Sequence, residues 1–168
     1  MGRAAPKSEG DIILLAIARE KEAYAHLAAA ARMCTCAKAK RLYNQLALDE
    51  LKHLLSLVSL LDGLADDCLT HLDLTFPAEQ LPDPLPQSED GILRSALAEE
   101  RESQQLFADL AEGVEREEIL AVLEILRAEE EDHLARLRSL LYGLEADRPV
   151  VAKWLRSIRR LVPAGHLH

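Results

Sequence analysis

From Asp11 onward, apolar residues recur at steps of three and four. Ile13, Ile17, Leu27 and Ala31 mark one face of a helix expected from about Ser8 or Asp11 to Met33, with S-E-G-D offering polar caps at its start. Glu20 and Tyr24 fall on that same face, so a carboxylate stands where the period calls for an apolar group. A second helix, about Ala37 to Leu61, carries the stripe Tyr43, Leu46, Glu50, His53 and Leu57. A third, about Ser88 to Glu112, presents Ile92, Ala96, Glu100, Ser103, Phe107 and Leu110 or Ala111. The fourth, about Arg116 to Leu144, presents Val122 or Leu123, then Leu126, Glu130, His133, Leu137 and Leu140. Gly63 and Gly113 punctuate the series, and Cys34 to Cys36 lies at the first turn.

Between Thr75 and Glu89 the run TFPAEQLPDPLPQSE holds four prolines that deny helix continuation, so it is expected to be the long connection between two helical hairpins. After Asp147 a further apolar face appears: Val151, Trp154, Leu155, Ile158, Leu161 and Val162, opposed by Lys153, Arg156, Arg159 and Arg160. This predicts an amphipathic C-terminal helix over about 148–162, with Pro149 in its first turn. Its expected role is to pack on the bundle or on a second subunit, with a protein partner or a membrane surface as lesser alternatives. The whole chain, 1–168, reads as one all-α domain: an antiparallel four-helix core over about 11–144, one long crossover and the extra helix.

Bulk composition agrees. Leucine and alanine dominate, aromatics make up 4 %, and runs of β-branched residues are absent. A formal charge of -9 disfavours a nucleic-acid partner, which requires clustered Lys and Arg. MGRAAPKSEGD has no apolar core of a secretory signal, and no membrane-spanning apolar run follows, so a cytoplasmic protein is expected. Cys34, Cys36 and Cys68 form neither a disulfide framework nor a zinc or iron-sulfur pattern. They read as ordinary thiols, with a redox-active or metal-delivering pair at Cys34 and Cys36 as the alternative.

The polar interruptions repeat. Glu20, Glu50 and His53 are followed, each 80 residues later, by Glu100, Glu130 and His133. With 29 acidic residues and 6 histidines in 168, about one acid-x-x-His match is expected by chance; two, each preceded at 30 residues by a glutamate, are not. Glu20 and Glu50 lie about equally far from the first turn, and Glu100 and Glu130 from the second, so each hairpin brings its members to one level. A Glu on each of two helices and a Glu-x-x-His on each of the other two is the ligand inventory of a two-metal bundle. Four carboxylates and two imidazoles without thiolate suit two iron ions, or manganese. Tyr24 and Tyr43, about one and two turns from the proposed ligands, are candidates to hydrogen-bond a ligand or donate an electron. Glu22, Asp49, Glu99, Glu102, Glu129 and Glu131 are expected to face solvent, with Glu99 and Glu129 as substitutes if the register slips by one. His26 reads as a surface residue, and His71, His166 and His168 have no partner pattern.

A-I-A-R-E-K-E-A-Y around Glu20, D-E-L-K-H at Asp49 to His53, A-L-A-E-E-R-E around Glu100 and E-E-E-D-H at Glu129 to His133 resemble the ferritin-like superfamily, particularly its rubrerythrin-like branch, over roughly Asp11 to Leu140. The resemblance implies a di-iron site, homodimers or larger homo-oligomers, and peroxide reduction or ferrous-iron oxidation. Two departures qualify it. Ser103 stands where rubrerythrins often carry a further glutamate, and no cysteine follows Cys68 to form a rubredoxin-like relay, so an external electron donor is expected. The alternative reading is a structural or partner-binding bundle with a static metal site.

Overall fold

The computed structural model describes residues 8–64, 72, 75 and 88–161, with 144–161 as helical backbone only. Four helices make up the fold: α1 Glu9–Met33, α2 Ala37–Asp62, α3 Glu89–Ala111 and α4 Glu117–Leu161. Their starts follow from local chemistry. The hydroxyl of Ser8 accepts from the Asp11 amide at 3.1 Å, and that of Ser88 accepts from Gly91 at the same distance. The first three helices end where the apolar period predicts. The fourth does not stop near Leu144: the segment expected as a separate C-terminal helix is a continuation of α4 to Leu161. Pro149 lies inside it, because the fixed φ of proline is itself helical and the ring removes one backbone hydrogen bond without ending the helix. The amphipathic side chains of that segment, the prolines of the 75–89 run, Cys68, His71, His166 and His168 lie outside the described residues or side chains.

α1 packs on α2 and α3, and α4 packs on α3 and α2. Two carboxylates fix the topology. Glu89, in the first turn of α3, accepts from the Thr35 and Cys36 amides at 2.6 and 3.1 Å and thereby ties α3 to the α1–α2 turn. Glu9, in the first turn of α1, accepts from the Glu115 and Arg116 amides at 3.0 and 2.9 Å and ties α1 to the α3–α4 turn. Each hairpin thus caps the start of the other's second helix, and α1 and α3 run antiparallel. The chain between Leu64 and Ser88 therefore joins opposite ends of the bundle, as a long crossover must.

Two apolar clusters fill the interior. Near the α1–α2 turn, Leu27, Ala30, Tyr43, Leu46, Leu93, Leu134 and Leu137 pack together. Toward the other end, Ile13, Ile17, Leu54, Leu57, Phe107, Leu123 and Leu126 form the second. Between them lies a buried layer of glutamate and histidine. Among the described residues no helix is long and apolar enough to cross a membrane.

Candidate metal centre

The six residues selected by the 80-residue repeat are all buried and lie together. Positions i and i+3 share a helix face, so α2 delivers Glu50 with His53 and α4 delivers Glu130 with His133, while α1 and α3 each add one glutamate. Nδ1 of His53 lies 3.1 Å from Glu50 Oε2, 3.5 Å from Glu20 Oε2 and 3.7 Å from Glu130 Oε1. Nδ1 of His133 lies 3.1 Å from Glu50 Oε1, 3.2 Å from Glu100 Oε2 and 3.6 Å from Glu130 Oε2. The rings are nearly parallel, 14° apart in plane with centroids 5.7 Å from each other. Ligand atoms of Glu20, Glu50, His53 and Glu130 fall within 4.8 Å of one another, as do those of Glu50, Glu100, Glu130 and His133. Glu50 and Glu130 belong to both groups; the other four residues belong to one each.

Burial opposes charge on both imidazoles, yet Glu20 and Glu50 beside His53 push it up to about 11, and Glu100, Glu130 and Glu50 push His133 up to about 12. Burial, reinforced by Glu100, raises Glu130 to about 10. Burial and Glu50 raise Glu20 well above the ordinary carboxylate range. Glu50 goes the other way despite its burial, held ionised by its neighbours Glu20, His133 and His53. Burial thus favours the protonated form of Glu20 and Glu130, while the imidazoles and Glu50 favour their charged forms. Both oxygens of Glu20 and of Glu130, and Oε1 of Glu100, are buried without a hydrogen-bond partner. Such oxygens are costly to bury unless a cation meets them. The donor set, its burial and its two overlapping groups fit a pair of metal ions.

Residues expected to face solvent complete the site. Glu129, 53 % exposed at its side chain, contacts His53 Nε2 from across the α2–α4 seam. Asp49 lies 3.8 Å from His133 Nε2. Asp49 and Glu129 are themselves repeat partners, each preceding a shared glutamate, and that spacing was the signal available for them. Each serves the histidine of the opposite hairpin, which no single-helix pattern indicates. Carboxylates on the outer nitrogen orient each ring, so that Nδ1 would be left to hold a metal. Behind these nitrogens a cavity of about 410 Å³, lined by Asp49, Lys52, His53, Glu129, Asp132, His133 and Arg136 among others, opens the centre toward solvent.

The α1–α3 side is filled by another group that sequence reasoning missed. Arg19 is buried; its Nε donates to Ser103 Oγ at 2.7 Å and its guanidinium meets Glu99 Oε2 at 2.8 Å. Glu99 is therefore an ion-pair partner, neither free in solvent nor in the ligand cluster. His26 is buried, contrary to the surface position expected, and burial lowers its pKa. Tyr43 is fully buried, but its electrostatic neighbours are Cys34, Glu89 and Cys36, so its phenol belongs to the turn end of the bundle. Tyr24 is partly buried against the same apolar cluster.

No family of known sequences and no curated protein matches the chain. Solved structures do. A two-domain protein from Anabaena variabilis, containing DJ-1/ThiJ/PfpI-like and ferritin-like domains, superposes with a TM-score of 0.71 at 17 % identity over 83 % of this chain and 41 % of that one. The chain thus spans well under half the length of that protein. A hypothetical protein from Pyrococcus furiosus superposes with a TM-score of 0.64 at 22 % identity over 82 % of this chain and 90 % of that one. Likeness at these identities speaks for the fold: this chain has a ferritin-like four-helix bundle fold, with a buried glutamate and histidine cluster that could bind metal.

Proposed function

We propose that this protein is a non-haem di-iron carboxylate oxidoreductase of the rubrerythrin-like kind, reducing peroxide or oxidising ferrous iron with an external electron donor. The observation that carries the reading is the pair of overlapping four-residue groups that share Glu50 and Glu130. Glu20 and His53 would hold one ion, Glu100 and His133 the other, and the shared carboxylates both; manganese suits the same donors. Two iron ions held so would supply the electrons, or accept them, at adjacent centres.

The chain's own residues set the conditions for that chemistry. Asp49 and Glu129 orient the imidazoles from the side of the cavity, leaving Nδ1 for the interior. The cavity admits a small oxidant beside the two histidines, whereas Arg19 and Ser103 pack the opposite side. Reduction of a peroxide to water consumes protons, and Glu129 reaches from solvent to His53 Nε2 as a carrier at that atom. Association into a dimer or larger homo-oligomer belongs to the same reading: α2 leaves Leu48 and Leu55, two turns apart on one face, exposed, and a second copy would cover them.

Anaerobic loading with ferrous iron, followed by peroxide or air, tests the proposal. A ferric chromophore at about two irons per chain is expected, with sustained turnover only when a separate reductase is added. Ferrous iron that enters and stays unchanged for minutes under both oxidants would make the bundle a static metal protein.

A further inference from the structure

The turn joining α1 to α2 carries two thiols that the metal centre does not use. Cys34 is buried, and its Sγ donates to Glu89 Oε2 at 2.7 Å. Cys36, two residues on, is only partly buried and forms the N-cap of α2 without a side-chain capping hydrogen bond. The other oxygen of Glu89 accepts from Thr35 N and Thr35 Oγ1, both at 2.6 Å, and from Cys36 N at 3.1 Å. One carboxylate from the opposite hairpin therefore grips the whole C-T-C segment. The equivalent turn, 113–116, is gripped by Glu9 through two amides and the Arg116 guanidinium, with no thiol present. The cysteines are not needed to make such a turn.

We propose that Cys34 and Cys36 are a redox-active dithiol which hydroperoxide converts to an intrachain disulfide, and that Glu89 is the latch holding the reduced form. The proposal stands independently of any metal. The accessible Cys36 thiol, having lost its proton to solvent, attacks a peroxide oxygen. The O–O bond breaks, leaving a sulfenic acid on Cys36, and the departing hydroxide takes up the proton released to solvent to become a first water. Cys34 Sγ then attacks the Cys36 sulfur, the S–S bond forms, and the departing hydroxide takes the proton that Cys34 had directed at Glu89. Two thiols lose two electrons and two protons, and one hydrogen peroxide becomes two waters. Burial and Glu89 push the Cys34 thiol up to about 11, which keeps it protonated in the resting turn and leaves the first attack to Cys36.

Geometry couples this step to the latch. Residues i and i+2 are at most about 7 Å apart at Cα, within bridging reach only at the upper end of the disulfide range. Both cysteines have extended backbone, with φ and ψ of -71° and 131° at Cys34 and -68° and 114° at Cys36, so closing the bridge must bend the turn at Thr35. Bending draws the Thr35 and Cys36 amides from Glu89, and the S–H donor is lost. The disulfide thereby loosens the contact that ties α3 to the first hairpin.

The test treats the full chain, metal-free and iron-loaded, with hydrogen peroxide, alkylates free thiols and digests with trypsin. Met33 to Lys38 is released as one peptide containing both cysteines. It should be two hydrogens lighter after peroxide, regain them with a dithiol reductant, and show neither change in Cys36→Ser. Glu89→Gln should form the bridge roughly tenfold faster. Where that variant loses helix content, Thr35→Val, which removes only the hydroxyl bond, carries the same comparison with a severalfold gain. Two alkylated cysteines, over-oxidation to sulfinate without a bridge, or a bridge to Cys68 overturns the pair; a Glu89→Gln or Thr35→Val rate no faster than wild type overturns the latch.

Discussion

Replacing Glu130 by glutamine should move metal-free and metal-loaded stability in opposite directions. The side chain is fully buried, and its ordinary value of 4.5 is pushed up to about 10 by burial and by Glu100. At pH 7 the folded, metal-free protein must keep a proton on a group that the unfolded chain has already lost. That costs about 3 kcal/mol, a figure that requires only a folded value above 7. Because the folded value is raised, the penalty is absent below about pH 4.5 and grows as pH rises through neutrality. Glutamine keeps the volume and carries no proton to hold, so chelator-treated Glu130→Gln should melt about 6–12 °C higher than wild type at pH 7, at roughly 2–4 °C per kcal/mol for a chain of this size. The gain should vanish near pH 4.5. With iron present the order should reverse, since Glu130 belongs to both four-residue groups and its loss weakens both. Thermal melts by circular dichroism at the two pH values, with metal analysis of the loaded proteins, read all three outcomes. A glutamine variant no more stable than wild type in chelator at pH 7, or one that retains full iron content, refutes the reasoning.

Asp49→Asn and Glu129→Gln should leave helix content unchanged but weaken metal binding about 10–100-fold, the range for groups that orient metal-bound histidines; competition with a chromophoric chelator measures it. Glu50→Ala with Glu130→Ala should leave a helical protein without iron, and unchanged iron content in that variant would remove both glutamates from the assignment. Glu9→Ala should lower stability by about 1 kcal/mol through the lost cap on α4, readable in denaturant melts. Glu89 is held down to about 2, against the effect of its burial, by hydrogen bonds from Cys34, Thr35 and Cys36. Its folded value is depressed, so its contribution is complete above about pH 4.5 and is lost as pH falls toward 2; the stability difference between wild type and Glu89→Gln should shrink over that window. Light scattering should show a dimer or larger assembly, and Leu48→Glu with Leu55→Glu should shift it toward monomer.

The repeat of Glu20, Glu50 and His53 at Glu100, Glu130 and His133 was legible in the sequence because a helix forces inward positions into steps of three and four. A polar residue on an inward stripe is visible against that period. Helix bounds and the crossover were legible for a similar reason, since serine caps and prolines act on the backbone within a few residues of themselves. Pro149 shows the limit of such local punctuation: the rule predicts a new helix, and the backbone carries α4 through it. The partners chosen across helix seams were not written in any one-dimensional pattern. Glu129 serves His53 and Asp49 serves His133, although each shares a helix with the other histidine. Arg19 finds Ser103 and Glu99, and Glu89 grips a turn more than fifty residues away in the chain. These pairings depend on which helices are neighbours and in which direction they run. The sequence by itself determined which side chains point inward and at what height; only the packing of four helices decided which of them meet, because contact between helices is set by their order and tilt and not by distance along the chain.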